Sequence, residues 1–232
     1  RKKRKQMKKS LIFVIGAIVC LIIQSCDDSS ENPGEEPSLQ YPISWEQRST
    51  TEHKMIYGKF YDDNLGYFFS GKSGIVYKTT DGGYTNEEIT LPEASLMDIG
   101  FNLPGAPNNM SVCYLSKEKV YLGLGSLLYK TKDGGKNWSY IEHEKPYAQL
   151  HFFNESDAMG IRQDDSQYIT NSIVKSNDGG ETWEKVYSEK NVEYTTVQFV
   201  NENVGYAYGR ANSFTVDGTL VKTSDGGNTW KK

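Results

Sequence analysis

The chain has 232 residues, of which 26 are Lys or Arg and 30 are Asp or Glu, so its formal net charge at pH 7 is −4. Seven of the basic residues and none of the acidic ones lie within residues 1–25, so the rest of the chain is strongly acidic. Such a body has no basic surface left to neutralise phosphates, which excludes nucleic acid as a partner. Cys113 is the only cysteine beyond residue 26, which excludes a disulfide within the body, and it is predicted to be a small core residue.

The first element in chain order is a leader, residues 1–25, with a natural start predicted at Met7. Its apolar run from Leu11 to Ile23 is too short to span a bilayer comfortably but suits a signal sequence. The following Ile-Ile-Gln-Ser-Cys resembles the lipobox of bacterial lipoprotein precursors, in which the cysteine is lipidated. That resemblance implies cleavage before Cys26 and a lipid on its thiol. An uncleaved anchor and a plain secretory peptide are the alternatives.

Residues 26–40 follow as an acidic segment that contains Pro and Gly and few large apolar side chains. A segment of this composition cannot bury enough surface to fold, which predicts a flexible tether. Acidic residues next to the lipidated cysteine resemble an inner-membrane retention signal in some bacterial groups and a surface-export tag in others. We expect the outer membrane or the cell surface, with the inner membrane left open.

The remaining segment, residues 41–232, repeats one phrase four times, at 79–86, 131–138, 176–183 and 223–230. The aspartates of the four copies are 52, 45 and 47 residues apart along the chain. A period in this range is the length of one four-stranded propeller blade. The spacing therefore predicts four similar structural units in succession.

Each copy predicts a β-hairpin. An apolar strand is followed by Lys, by Ser or Thr, and then by Asp-Gly-Gly, in which the glycines accept positive φ and the carboxylate can accept backbone N–H groups. After two more residues, a Trp is predicted to insert its ring between neighbouring sheets. The first copy has Asn86 instead, so the first unit is expected to pack less tightly. The predicted structural residues are Thr79, Asp81, Gly83, Thr131, Asp133, Gly135, Trp138, Ser176, Asp178, Gly180, Trp183, Thr223, Asp225, Gly227 and Trp230.

The pattern Ser/Thr-x-Asp-x-Gly-x-Thr-Trp resembles the Asp-box, or BNR repeat, of sialidases, sortilin-type receptors and xyloglucan-degrading hydrolases. The longer register of residues 66–83 and 204–227 is most similar to the photosystem II stability/assembly factor-like propellers. The resemblance implies an all-β fold, a β-propeller of four-stranded antiparallel blades, in which the hairpin joins the third and fourth strands. It says little about activity, because one fold hosts many functions.

The number of blades follows from the tryptophans. Trp45 is predicted to begin an outer strand, but the fourth blade already has Trp230 at its own equivalent position. We therefore expect a C-terminally truncated propeller, an incomplete arc of four blades from a six- to eight-bladed ring. A closed four-bladed ring is the alternative. Residues 102–120 predict a long loop between the first two strands of the second blade.

Catalytic residues are not predicted. Sialidases need an arginine triad and an Arg-Ile-Pro, whereas this body offers Arg48, Arg162 and Arg210 without that tripeptide. Glycoside hydrolases need two carboxylates facing across a cleft, and the acids here fit a solvated surface equally well. His53, His143 and His151 lack the spacing of metal ligands. We expect no catalytic residue, no metal and no cofactor.

Four lysines precede the repeated turns, namely Lys78, Lys130, Lys175 and Lys222. In a pseudo-symmetric fold they form an arc on one surface, which we interpret as a possible docking rim for an anion or a protein. The alternative is a lysine that lays its stem over apolar neighbours and keeps its charge in water.

The sequence favours a non-enzymatic, lipid-anchored propeller that acts as a protein-interaction or assembly scaffold. A surface glycan-binding or glycan-degrading lipoprotein is the alternative. Exposed aromatic rings in one funnel, with Tyr67, Tyr206 and Tyr208 the first candidates, would favour a glycan. A polar funnel with apolar patches elsewhere would favour a protein partner.

Overall fold

The computed structural model describes residues 46–70, 74–93, 110–165, 170–211 and 218–232, and a short antiparallel pair formed by Leu11–Ile12 (β1) and Leu21–Ile22 (β2). Within these ranges, no helix has the length and apolar character needed to cross a membrane. The predicted lipidation site Cys26, the tether 26–40 and Trp45 lie outside the described residues.

The strands from β3 onward form four consecutive units, which we call blades 1 to 4. Blade 1 contains β3 (Met55–Phe60), β4 (Gly66–Ser70), β5 (Ile75–Thr79) and β6 (Glu87–Thr90). Blade 2 contains β7 (Met110–Tyr114), β8 (Val120–Leu124), β9 (Leu127–Thr131) and β10 (Ser139–Glu142). Blade 3 contains β11 (Tyr147–Phe152), β12 (Ala158–Asp165), β13 (Thr170–Ser176) and β14 (Glu184–Tyr187). Blade 4 contains β15 (Val192–Phe199), β16 (Gly205–Ala211) and β17 (Thr219–Thr223).

Consecutive strands within each blade pair antiparallel. In blade 4, an isolated bridge between Lys222 and Lys231 stands where the other blades begin their fourth strand. One parallel bridge, between Asn171 of β13 and Glu193 of β15, joins blades 3 and 4. The first strands of successive blades lie side by side, β3 next to β7, β7 next to β11 and β11 next to β15.

Both faces are covered in blades 1 to 3, which explains why their inner strands are nearly continuous apolar runs. In β4, Tyr67 and Phe69 face blade 2, whereas the intervening Phe68 packs with Ile75 and Tyr77 on the opposite face. Side chains alternate across a strand, so one run of apolar residues supplies two separate cores.

Three apolar cores lie between successive blades. They combine Tyr67, Phe69 and Val76 with Val112, Leu122 and Tyr129; Tyr121 and Leu128 with Phe152 and Val174; and Met159, Ile161 and Ile173 with Val197, Ala207 and Val221. The chain is therefore held together by blade-to-blade packing, as the repeat predicted.

The last blade presents an apolar face that no described residue covers. Tyr206, Tyr208 and Leu220 are 37%, 48% and 59% exposed, although the equivalent Tyr67 and Val76 of blade 1 are fully buried by blade 2. The prediction of an all-β arc of four antiparallel blades is confirmed. The number of blades in a complete ring stays a prediction.

Two expectations from the sequence, one about a loop and one about an outer strand, were wrong. Residues 102–120 were expected to link the first two strands of blade 2, but Met110–Tyr114 forms β7, and the link to β8 is only residues 115–119. The apolar residues within Met110–Tyr114 pack into the cores on both sides of blade 2, which makes this stretch a strand. The outer strand expected after Trp45 is also absent from residues 46–54, which are irregular.

Candidate functional site

The four Asp-Gly-Gly turns, which we call hairpins 1 to 4 (residues 79–86, 131–138, 176–183 and 223–230), share one network of hydrogen bonds. In hairpin 3, the Ser176 hydroxyl donates to the Asp178 carboxylate at 2.8 Å and accepts the Gly180 N–H at 2.8 Å. The same carboxylate accepts the Thr182 N–H at 2.9 Å. The equivalent bonds occur in hairpins 1, 2 and 4.

Because of these bonds, the pKa of each hairpin carboxyl is lowered to about 2, as is seen for Asp81, Asp133, Asp178 and Asp225. The main cause is hydrogen bonding to the residue four positions later, through its backbone N–H and its side chain. Every one of these carboxylates is therefore ionised at neutral pH and engaged within its own turn. The four carboxylates therefore stabilise their own turns, and they carry no proton that they could donate in catalysis.

The low pKa values predict a loss of stability in acid. The folded-state pKa of about 2 lies below the ordinary 3.8 of Asp178, so the carboxylate stabilises the folded state above about pH 4 and loses that contribution as the pH falls through 2. Denaturant unfolding measured from pH 5 to pH 2 should show a falling free energy of unfolding. The slope should be shallower in Asp178→Asn, and equal slopes for the two proteins would contradict this account.

The second glycine of hairpins 2 to 4 is a contact between blades. A Cβ added to Gly135 would lie 2.7 Å from the Tyr67 hydroxyl of blade 1, and one added to Gly180 would lie 2.5 Å from Leu128 of blade 2. Gly227 approaches Met159 of blade 3 in the same way, at 2.7 Å. A Cβ on Gly83 would meet nothing within 4 Å. Hairpins 2 to 4 thus seat against the preceding blade, and hairpin 1 has no such neighbour among the described residues.

Three of the four predicted lysines reach the hairpin of the next blade. The ammonium of Lys78 donates to the Gly134 carbonyl at 2.7 Å, and that of Lys175 donates to Asn228 at 2.8 Å. Lys130 contacts Glu181 of hairpin 3 at 3.3 Å. Lys222 instead lies 5.7 Å from the ring centre of Tyr206 in its own blade. The docking-rim hypothesis, which stays a prediction, now depends chiefly on Lys222, because the other three ammonium groups bind neighbouring blades.

The tryptophans close the hairpins. The indole N–H of Trp138, Trp183 or Trp230 donates to the carbonyl of the second glycine at 3.0 to 3.2 Å. The ring of Trp138 packs edge-on against Tyr67 of the preceding blade, with centroids 6.0 Å apart. In hairpin 1, Asn86 donates instead to Ser49 at 2.6 Å. This hairpin therefore contacts the irregular segment 46–54 where the others contact a blade.

A cavity of about 290 Å³ opens between the first strands of the four blades, β3, β7, β11 and β15. Its polar side chains are Tyr57, Lys59, Ser111, Tyr114, Gln149, His151 and Gln198, and no Asp or Glu is among the described residues that line it. Burial and the nearby Lys59 lower the pKa of His151. The described lining of the cavity is thus polar, and it includes the cation Lys59 but no acid. Its members are far apart in the sequence, and no motif marked them.

The residues that could serve in catalysis or sugar binding lie outside the cavity, except Cys113, whose thiol is buried and protonated. Cys113 lines the cavity, but its thiol donates to the Leu150 carbonyl at 2.9 Å, and burial raises its pKa to about 11. Tyr67 is buried between blades, and Tyr206 and Tyr208 lie on the uncovered face of blade 4. The three arginines are also outside the cavity; they contact Tyr84, Asp164 and Glu193 respectively.

The fold brings together one group of possible metal ligands that sequence spacing did not reveal. Glu52, His53 and Glu88 each have a ligand atom within 4.8 Å of the others. Both carboxylates are exposed, and Glu88 already accepts a hydrogen bond from the Tyr77 hydroxyl at 3.2 Å. These residues join segment 46–54 to blade 1, which is why only the folded chain shows the group.

Successive antiparallel blades, of which blades 1 to 3 are four-stranded, have first strands that lie side by side and equivalent hairpins that lock them, and this arrangement defines the chain as a β-propeller. No family model matches it. It is 26% identical over 172 residues to the photosystem II assembly lipoprotein Ycf48 of Picosynechococcus sp., a match that covers 59% of this chain and 47% of that protein.

Two solved structures are similar in fold. YCF48 from Cyanidioschyzon merolae has a TM-score of 0.54 at 19% identity, over 82% of this chain and 59% of that one. The Niastella koreensis GH74 enzyme has a TM-score of 0.53 at 17% identity, over 72% of this chain and 28% of that one. The chain therefore spans about half the length of the curated relative it matches and less than two thirds of either solved propeller.

Proposed function

We propose that this chain is a non-enzymatic propeller of the bacterial cell envelope, anchored by a lipid on Cys26, that acts as a protein-interaction or assembly scaffold. The hairpins are its Asp-boxes, and they serve to lock the blades. The observation that carries the proposal is the central cavity, which is polar and has no carboxylate among its described lining residues. Retaining and inverting glycoside hydrolases both need a pair of carboxylates across the cleft.

The distribution of aromatic side chains supports a protein partner over a glycan. Sugar rings stack on exposed aromatic faces. The aromatic residues that line the cavity, Tyr57, Tyr114, Phe152 and Phe199, are half-buried or buried, whereas the exposed Tyr206 and Tyr208 lie outside it, on blade 4. A polar cavity with an apolar patch elsewhere is the arrangement expected of a protein-docking surface. The relative from Picosynechococcus is named an assembly lipoprotein, which agrees with both the scaffold and the anchor. Likeness to the GH74 enzyme supports the glycan alternative at the level of fold alone.

The proposal is tested by photocrosslinking in bacterial cells that produce the full chain. A benzophenone amino acid at Gln198, which is exposed and lines the cavity, should crosslink to one or a few defined envelope proteins. The same group at Lys190, exposed in the turn before β15, is the matched control and should not. Cys26→Ser should move the protein from the membrane fraction to the soluble fraction. Release of sugar from xyloglucan by the purified protein would contradict the proposal that the chain is a non-enzymatic scaffold. Equal crosslinking from both positions would contradict a specific protein partner at the cavity.

A further inference from the structure

The cavity differs in charge from the rest of the molecule. Acidic residues outnumber basic ones in the whole chain, yet Lys59 is the one formally charged residue among the described side chains that line the cavity. Several described lysines, such as Lys117, Lys119 and Lys232, form ion pairs with acids. Within the described part of the chain, no acid pairs with Lys59. A cation kept apart from acids in an acidic protein is available to an anionic ligand.

Neutral side chains of the same cavity add hydrogen-bond donors. The side-chain oxygen of Gln149 accepts the Val197 N–H at 2.7 Å, and no described residue accepts from its NH₂ group. The Ser111 hydroxyl is 2% exposed and has no hydrogen-bond partner among the described residues. A buried hydroxyl without a partner costs free energy, which a ligand oxygen would recover. Gln149 and Ser111 come from two different blades, and Lys59 comes from a third.

We infer that the cavity binds a carboxylate group of a peptide, held by the Lys59 ammonium and by the Gln149 and Ser111 donors. The inference rests on the proposed scaffold function and names the chemistry that its partner presents. The one charged side chain of the described lining, Lys59, matches the single charge of a carboxylate. A volume of about 290 Å³ is at the small end of the range for ligand sites, which suits a short peptide segment. The carboxylate is either a chain terminus or an Asp or Glu side chain.

Three tripeptide probes separate these sources. They are acetyl-Ala-Ala-Ala with a free carboxyl terminus, the same peptide as its amide, and acetyl-Ala-Glu-Ala amide. Binding to the full-length protein is followed by NMR through the side-chain NH₂ signal of Gln149. The free acid should bind if the partner presents its terminus, and the Glu peptide should bind if it presents a side chain. The neutral amide should not bind, and binding of all three probes alike would overturn the inference.

The variants test the role of Lys59. Lys59→Glu should weaken binding of the acidic probe by about tenfold or more, since a hydrogen bond to a charged group contributes about 1.5 to 3 kcal/mol. Lys190→Glu is the matched control, because it makes the same charge change at an exposed site outside the cavity, and it should change binding less than about twofold. An equal loss in both variants would show general electrostatic attraction and overturn the site.

The site and the scaffold can fail separately. If Gln198 crosslinks to a defined protein and Lys59→Glu leaves that crosslink unchanged, the scaffold stands and the carboxylate site is wrong. If the acidic probe binds through Lys59 but no protein crosslinks at Gln198, the site stands and the scaffold is wrong.

Discussion

Replacing Gly180 with alanine should destabilise the protein by about 2 to 5 kcal/mol, one of the largest effects that a single methyl group can have in this chain. The φ angle of Gly180 is 86°, a region that costs an L-residue about 1 to 2 kcal/mol. The added Cβ would also lie 2.5 Å from Leu128 Cδ2 and 3.3 Å from Phe152. Overpacking of a core adds about 1 to 3 kcal/mol, because hairpin 3 would be pushed away from blade 2.

Gly83→Ala is the matched control for this effect. Its φ of 93° gives the same backbone penalty, but its Cβ would enter open space. The expected cost is therefore the strain alone, about 1 to 2 kcal/mol. Urea unfolding followed by tryptophan fluorescence measures both variants. Equal costs for Gly180→Ala and Gly83→Ala would mean that the contact between hairpin and blade contributes nothing.

Trp183→Ala should destabilise the protein by about 3 kcal/mol, near the lower end for removal of a buried aromatic ring because Trp183 is half-buried. The ring packs against Tyr147 with centroids 5.1 Å apart and against Phe152 at 6.4 Å. The substitution also removes the hydrogen bond from its indole N–H to Gly180, which closes hairpin 3. The cost is lost apolar contact together with the space left beside the core that blades 2 and 3 share, against which Trp183 packs.

Asn86→Ala provides the comparison at the equivalent position of hairpin 1. It removes a hydrogen bond to Ser49 but no ring from between the blades, so the cost should stay near about 1 kcal/mol. Thermal unfolding followed by far-UV circular dichroism suits both variants, since that signal does not depend on the fluorophore that Trp183→Ala removes. A loss for Asn86→Ala as large as that for Trp183→Ala would show that the ring has no special part in blade packing.

The glycine and tryptophan substitutions test the same contact, that of a hairpin with the preceding blade. In hairpins 2 to 4, a glycine without a side chain lets the turn seat on the preceding blade, and a tryptophan fills the space beside it. Lys78, Lys130 and Lys175 of the preceding blades also bind the seated turn. The recurring phrase is therefore architectural, and the recognition that we propose involves the cavity between the first strands instead.

The amino-acid order alone is enough to predict each hairpin and the strands on either side of it. The bonds from Ser176 to Asp178 and from Thr182 to Asp178 join residues two and four positions apart, so a short stretch of sequence specifies them completely. Alternating and continuous apolar runs likewise specify strands, because side-chain direction repeats every two residues. The two predictions that were wrong concern residues 46–54 and 102–120, and neither stretch contains a repeated motif.

Contacts between side chains of different blades depend on the folded arrangement of the blades. Lys59, Ser111 and Gln149 belong to three blades, and they share a cavity because the first strands of those blades lie side by side. The partner of each lysine is also set by stacking, since Lys78 finds Gly134 more than one blade length along the chain. Hydrogen bonds within a hairpin join residues a few positions apart, so the order of the amino acids is enough to predict them. Contacts between blades depend on how whole sheets pack, a property that no short stretch of sequence contains.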